Sequence, residues 1–204
     1  MANRSYLQYC PIAVALDTLG DRWTLLILRE LTMGERRFTD LRDALPGIAP
    51  NLLSERLRDL QAGGLVEQRE LPPPAARSVY AVTSDGREVI PVLRSLARFG
   101  AARLGLPPDG TGLSPHRAVY SLLVPFHVPE AAGERFHVRL HVDGEDFDVV
   151  TEGVELSLRR RDPETPDLEV EITASELVAA RQGAALRLPS VAGAARFARL
   201  FQLA

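Results

Sequence analysis

The sequence contains one cysteine, Cys10, and no lysine at any of its 204 positions. A single thiol excludes an intramolecular disulfide, a disulfide-stapled scaffold and a cysteine-rich zinc cluster. Without lysine, every basic contact falls to arginine, whose planar fork suits bidentate recognition of phosphate and guanine. No uncharged apolar stretch approaches the roughly 18 residues that a membrane span requires, so no membrane partner is expected. No apolar N-terminal run behind a basic segment reads as a signal peptide, and the expected compartment is the cytoplasm. A glycine-rich phosphate loop, a Gly-x-Ser-x-Gly elbow and a nucleophile with a paired base are all missing. No catalytic residue, metal or cofactor is therefore expected, and the chain reads as a protein other than an enzyme.

What is present is globular composition, 46% hydrophobic and 25% charged, on a length that allows one large or two small domains. A net charge of −3 is unpromising for a nucleic-acid binder, whose affinity comes mainly from phosphate neutralisation. The charge is unevenly spread: residues 1–110 hold 14 Arg against 13 acids, and residues 111–204 hold 10 Arg against 14 acids. Between the halves, Gly105 to Gly112 contains three Gly and two Pro, which neither a helix nor a central strand tolerates. This predicts a domain over 1–106, a linker over 107–114 and a second domain over 115–204, both in an α+β protein. Arg159 to Arg161 form a charge run that reads as a solvated strand end or loop.

In the first half, Pro11 opens a helix carrying Ile12, Leu16 and Leu19, which Gly20-Asp21 breaks. Asp21 then serves as N-cap for a buried helix from Trp23 to Leu31. After Gly34, Arg36 to Phe38 is extended, and Thr39 caps a third helix ending at Pro46-Gly47. Residues 49–62 place Leu53, Leu57 and Leu60 on one stripe and Asn51, Ser54, Glu55 and Arg58 on the opposite one. Strand-like runs at 66–71 and 78–82 flank a stiff tip at Pro72 to Arg77, and Ser84 caps a long helix to about Leu104. This order is a tri-helical core followed by a wing, the layout of a winged helix-turn-helix module, with the polar-faced fourth helix as the groove reader.

The wording goes further. Cys10-Pro11-Ile12, Gly20 to Arg29, Arg37 to Leu41, and Gly47 to Leu57 through Gly64-Leu65-Val66 together resemble the HxlR family of bacterial transcription regulators, over residues 5 to about 104. The resemblance implies a homodimer on a pseudo-palindromic double-stranded operator. The first helix and the helix from Ser84 would form the dimer interface, with recognition helices roughly 34 Å apart. In that setting Asn51, Ser54 and Arg58 are candidates for base and phosphate contact, since amide and guanidinium forks read adenine and guanine edges. Glu55 shares their face but is repelled by phosphate unless it accepts from a cytosine amino group or pairs with a nearby Arg. Arg36, Arg37 and Arg77 are candidates for backbone contact ahead of the third helix and at the wing. Some members of the resembled family sense oxidants or electrophiles through a cysteine near Cys10, which makes it a redox candidate. Against that, its neighbours Tyr9 and Pro11 supply no positive charge, no second cysteine can resolve a sulfenate within the chain, and a small apolar residue would serve a dimer-facing helix equally.

The second half alternates with period two. A run from Val119 to Val124 opens it, Phe136, Val138, Leu140 and Val142 alternate with His137, Arg139, His141 and Asp143, and strands at 147–151, 154–158 and 168–172 continue an antiparallel sheet. Thr173 to Glu176 has the capping-box form and opens a helix that stops near Gly183, and Ser190 caps a closing helix with Ala194, Phe197, Ala198 and Phe201 on one side. Two histidines four apart on a strand lie about 13 Å apart and cannot share a metal, so His137 and His141 read as solvated cross-strand residues. The arrangement is similar to the sterol carrier protein fold over about residues 117–203, with a shorter segment between the last two helices than that family has. The resemblance implies a slot for an apolar effector lined by Phe136, Phe147, Leu156, Phe197 and Phe201. The same residues equally make the core of a small domain that stabilises a dimer. The resulting expectation is a dimeric repressor, possessing either a ligand-sensing or a purely structural second domain. The alternatives are a lipid-binding or carrier module whose helical half makes protein contacts, and a cysteine-based redox-sensing regulator.

Overall fold

In the computed structural model, which describes residues 5–72, 77–101, 103, 113–123, 135–152, 155–160, 164–181, 184–186, 188, 191 and 193–202, α1 (Pro11–Leu19) begins at its expected proline. Two compact units divide the chain, Met1–Leu93 and Arg94–Ala204. The Gly- and Pro-rich break at 105–112 lies outside the described residues, as do the wing tip at 73–76, Val124, Arg161, Gly183 and Ser190.

In the first unit, α2 (Thr24–Thr32) starts later than expected, and Asp21 is not its side-chain cap. Trp23 is the N-cap residue, held at φ 81°, and Asp21 contributes only its carbonyl, which accepts from the Thr24 N–H at 3.2 Å. The Asp21 carboxylate is engaged elsewhere, by Arg56. α3 (Phe38–Ala44) starts one residue before Thr39, because Asp40 turns back to accept from the Arg37 N–H at 3.1 Å and closes the helix there. Gly47, at φ 94°, makes the left-handed turn into α4 (Pro50–Ala62), a conformation costly for any residue with a Cβ. Ile27, Leu28, Leu31, Leu41, Leu45, Leu53, Leu57 and Leu60 meet in the core with almost no exposure. Each contributes about 1.5–3 kcal/mol by burial.

The wing is the antiparallel pair β1 (Val66–Glu70) and β2 (Ser78–Val82), with Val66 opposite Val82 and Glu70 opposite Ser78. Arg36 adds a further rung, donating its N–H to the Tyr80 carbonyl at 3.0 Å and accepting the Tyr80 N–H at 2.7 Å. The long helix expected from Ser84 is two helices, α5 (Ser84–Arg87) and α6 (Ile90–Ala101). Pro91 has no N–H for the carbonyl four residues back, so the helix is interrupted ahead of it. Thr83, rather than Ser84, caps α5, its Oγ1 accepting from the Gly86 N–H at 3.0 Å. A Cβ on Gly86 would lie 2.1 Å from the Leu65 carbonyl oxygen, so only glycine fits where α5 presses on the base of the wing.

The second unit begins within α6, at Arg94, and continues with α7 (Pro115–Tyr120) and a short 3₁₀ turn (Ser121–Leu123) in place of the strand expected from Val119. A short continuous apolar run has no period to separate a buried strand from a buried helix, and Pro115 at the first turn favours the helix. Four strands follow: β3 (Phe136–Val142), β4 (Glu145–Glu152), β5 (Glu155–Arg160) and β6 (Leu168–Ile172), in the order β5-β4-β3-β6. The sheet is mixed rather than antiparallel, because β6 runs parallel to β3. Alternation along a strand sets its face but not its direction. Here the Asp167 N–H donates to the His137 carbonyl and the Asp167 carboxylate accepts the His137 N–H, both at 2.8 Å, which brings the chain in beside the start of β3. Asp143 (φ 47°) and Gly144 (φ 85°) make the two-residue hairpin between β3 and β4, the positive-φ pair that a type I′ turn needs.

One sheet face, Phe136, Val138, Leu140, Val142, Phe147, Val149, Leu156, Leu158, Leu168, Val170 and Ile172, is buried throughout. α8 (Ala174–Arg181) has its expected capping box: Thr173 Oγ1 accepts from the Glu176 N–H at 3.1 Å, and the Glu176 carboxylate accepts from the Thr173 N–H at 2.8 Å. α9 (Ala194–Phe201) buries Ala194, Phe197, Leu200 and Phe201, and Arg196 lies over the Phe136 ring at 4.6 Å.

Candidate nucleic-acid interface

The polar face of α4 follows from its spacing: with Leu53, Leu57 and Leu60 turned inward, Asn51 and Arg58 are exposed and Ser54 and Glu55 are half-buried. Ser54 Oγ donates to the Pro50 carbonyl at 3.0 Å, and Arg58 Nε donates to the Ser54 carbonyl at 3.3 Å. These bonds hold the two side chains along the helix, and Arg58 also forms part of the wall of a cleft beside α4. A groove reader needs this disposition, a rigid backbone with forked donors on its outer face.

Arg56, which sequence reasoning missed, changes the meaning of Glu55. It projects from the apolar stripe, 7% exposed, and its Nη1 lies 3.2 Å from Glu55 Oε1, 2.8 Å from Asp59 Oδ2 and 3.2 Å from Asp21 Oδ2. Glu55 is thus paired with a nearby arginine, the second of the two roles open to it. The sequence signal was an arginine inside a leucine stripe, with acids one residue before and three after. Beside this group a cleft of about 840 Å³ opens between α1 and α4, its walls including Asp17, Asp21, Glu55 and Asp59. Arg58 lines the same cleft, so the four carboxylates stand beside the exposed guanidinium of α4.

Of the three arginines placed at the backbone contacts, two are at the surface. Arg37 is half-exposed, its Nε 3.6 Å from Asp40 Oδ2, and Arg77 is exposed at the foot of β2. Arg36 is a correction: it is 6% exposed, with Nη2 3.4 Å from Oε2 of Glu30, itself 1% exposed. Arg29 binds the other Glu30 oxygen through Nε at 3.0 Å and Nη2 at 2.6 Å. An arginine committed to a buried carboxylate ties the wing to α2 and is not presented to a phosphate. Cys10, half-buried, precedes α1, and its carbonyl accepts the Val14 N–H at 3.0 Å.

In the second unit, Phe136, Phe147, Leu156, Phe197 and Phe201 all fall in the interior, and the Phe197 and Phe201 rings are 5.1 Å apart. Phe147, Phe197 and Phe201 have 0% exposure, so not even a water touches them, and a ligand would reach them only by parting the helices from the sheet. The expectation of two solvated cross-strand histidines fails for His137 and holds for His141, which is 37% exposed opposite Asp146. His137 is wholly buried with Nε2 2.6 Å from Asp148 Oδ1, an oxygen that Arg139 Nε also reaches at 3.0 Å. His141 is half-buried, with Nδ1 2.7 Å from Asp146 Oδ1. Arg139 Nη2 also donates to the Glu164 carbonyl at 3.1 Å, tying residue 164 to β3.

A tri-helical core, a helix with a polar outward face and a two-stranded wing define a winged helix-turn-helix protein. The HxlR-like helix-turn-helix family model matches residues 18–106. An HTH-type transcriptional regulator of Synechocystis is 40% identical over 92 residues, covering 45% of this chain and 68% of that protein. Another, from Methanothermobacter thermautotrophicus, is 33% identical over 100 residues, covering 49% of this chain and 75% of that protein. The solved reduced form of the transcriptional regulator YodB from Bacillus subtilis is 30% identical and covers 50% of this chain and all of that one, with a TM-score of 0.42. The chain belongs to the HxlR-like helix-turn-helix family and is a DNA-binding transcriptional regulator. Among the described residues no helix is long and apolar enough to cross a membrane.

Proposed function

We propose that the protein is a homodimeric repressor that binds a pseudo-palindromic operator, with α4 in the major groove and the wing on the flanking backbone. The observation that carries this reading is the outward face of α4, where Asn51, Ser54 and Arg58 stand on a helix whose inner face is locked into the core. Arg37 and Arg77 supply backbone contacts. Residues 1–106 form the DNA-binding and dimerisation domain, 107–114 a linker, and 115–204 the second domain.

Dimerisation is supported by apolar side chains left in solvent: Ile12 at 71% and Leu16 at 43% exposed, one turn apart on α1, and Val92, Leu96 and Phe99, at 41%, 44% and 62%, on one stripe of α6. Faces of this kind mark protein contacts. We assign the second domain a sterol-carrier-like fold, on the strength of its sheet with helices packed over one face; it either senses an apolar effector or stabilises the dimer, and the full burial of Phe147, Phe197 and Phe201 supports the second role. Cys10, at the start of the proposed dimer helix, is the candidate for oxidation between subunits, which diamide treatment and a non-reducing gel would reveal as a crosslinked dimer.

Selection from a random-sequence duplex library, followed by sedimentation of the complex, tests the regulator reading. A two-fold symmetric site bound by two subunits about a thousandfold more tightly than unrelated DNA is expected. Weak, sequence-indifferent binding would instead favour a lipid carrier whose helical half makes protein contacts.

A further inference from the structure

We propose that Arg56 is the positioning residue of the recognition helix: through Asp21 it fixes α4 against the turn between α1 and α2, and so sets the half-site spacing that the dimer accepts. The inference rests on the reading of α4 as the groove-reading helix.

Arg56 lies in the stripe that Leu53, Leu57 and Leu60 bury, where leucine would pack without any desolvation cost. A guanidinium there is tolerable only with its charge matched. Three carboxylates match it, and all three close on the same nitrogen, Nη1. Glu55 and Asp59 belong to α4 itself and orient the guanidinium without tying it to anything else. Asp21 alone lies outside the helix, in the turn that ends α1. Leucine contacts tolerate a helix sliding or rolling by a fraction of a turn, whereas an ion pair with one nitrogen is satisfied in one rotation and one axial position. The pair therefore supplies registry where apolar contacts supply adhesion.

The same turn touches the other end of the helix-turn-helix. Trp23, two residues after Asp21, is held at φ 81°, and its ring stands 3.8 Å from where a Gly47 side chain would begin. The turn thus bears on the α3–α4 corner through Trp23 and on the body of α4 through Asp21. It is continuous with α1, whose exposed apolar face is the proposed dimer surface. The placement of α4 relative to the two-fold axis runs through this turn, and Arg56 acts on DNA without contacting it.

The experiment uses the full chain and duplex probes of about 30 base pairs carrying a selected operator, with half-sites at the selected spacing and moved apart by one or two base pairs. Anisotropy titrations over a salt series give affinity, spacing preference and salt slope. Asp21→Asn and Arg56→Gln should each weaken binding to the selected spacing by about tenfold, flatten the spacing preference by about threefold, and leave the salt slope unchanged, since no phosphate contact is lost. Arg56→Lys should restore both, because a single ammonium can replace a single nitrogen. If Arg56→Gln does not fold, Asp21→Asn carries the test, its carboxylate being 40% exposed. Wild-type binding by Asp21→Asn overturns the proposal, as does a salt slope that falls by about one. So does an equal loss at every spacing accompanied by a lower thermal midpoint, which is the mark of stability alone. Asn51→Ala and Arg58→Ala, run alongside, test the groove-reading role itself. If both bind as wild type that role fails, and if both lose binding while Asp21→Asn does not, the positioning role alone fails.

Discussion

Arg36 and Arg37 are adjacent, identical in chemistry and opposite in role, and substituting each with alanine separates the two. Arg36 faces Glu30, whose carboxylate is wholly buried. Removing one partner of a buried ion pair costs about 3–5 kcal/mol, and the loss here lies at or below the lower end, about 2–3 kcal/mol, because Arg29 still holds the other oxygen. For a unit of this size each kcal/mol moves the thermal midpoint by about 4–8 °C, so Arg36→Ala should melt about 10–20 °C early. Arg37, half-exposed and 3.6 Å from Asp40, contributes less than about 1 kcal/mol to folding, but its loss should weaken operator binding and lower the salt slope by about one ion. Thermal melts and anisotropy titrations on the two variants, with a double-mutant cycle of Arg36→Ala and Glu30→Gln, complete the comparison. A thermal midpoint for Arg36→Ala within about 2 °C of wild type, with a salt slope reduced by about one, would refute the assignment of Arg36 to the interior.

Other substitutions test the rest of the architecture. Arg58→Ala should relax sequence preference at one operator position, whereas Arg77→Ala should weaken all sequences evenly and lower the salt slope by about one, both read by anisotropy on a panel of mutated sites. Gly86→Ala places a methyl against the Leu65 carbonyl and should destabilise the protein by more than about 2 kcal/mol in urea unfolding. Asp148→Ala leaves buried His137 and the Arg139 guanidinium without their shared acceptor and should cost about 3–5 kcal/mol. Asp146→Ala, beside the half-buried His141, should cost less than about 1 kcal/mol in the same titration.

The elements that the sequence announced are those with a period or a stop signal. α1 matches its proline start, α4 its leucine stripe over 49–62, the wing strands lie on either side of the proline-rich tip, and the Thr173 capping box sits at the start of α8. Where two signals compete, the reading slipped. Ser84 looks like a cap, but Thr83 has the same hydroxyl one residue earlier, and Pro91 divides the helix that follows. Val119 to Leu123 is apolar without a period, and the helix there owes its existence to burial in the second unit. The parallel placement of β6 depends on a contact between Asp167 and His137, thirty residues apart, which no local pattern encodes.

The candidate interface was legible as a face and illegible as a set of roles, and the absence of lysine explains why. In a chain with both bases, lysine tends to stay in water while arginine enters interiors and ion-pair networks, so the choice of base itself carries information. Here arginine does everything. Arg36 and Arg139 are spent on the buried carboxylates of Glu30 and Asp148, and buried Arg56 on the half-exposed carboxylates of Asp21, Glu55 and Asp59, while Arg37, Arg58 and Arg77 stay at the surface. Charge counts along the first half therefore overstate what is free for phosphate, and the acids that seemed to oppose DNA binding are in part the partners of those inward arginines. Glu55 is the clearest instance: on a helix wheel it interrupts a DNA-reading face, and in the fold it neutralises the arginine that holds that face in place. One guanidinium, that of Arg56, faces the three carboxylates of Asp21, Glu55 and Asp59, so the negative charge beside α4 is matched only in part and DNA contact falls to Arg37, Arg58 and Arg77 at the surface.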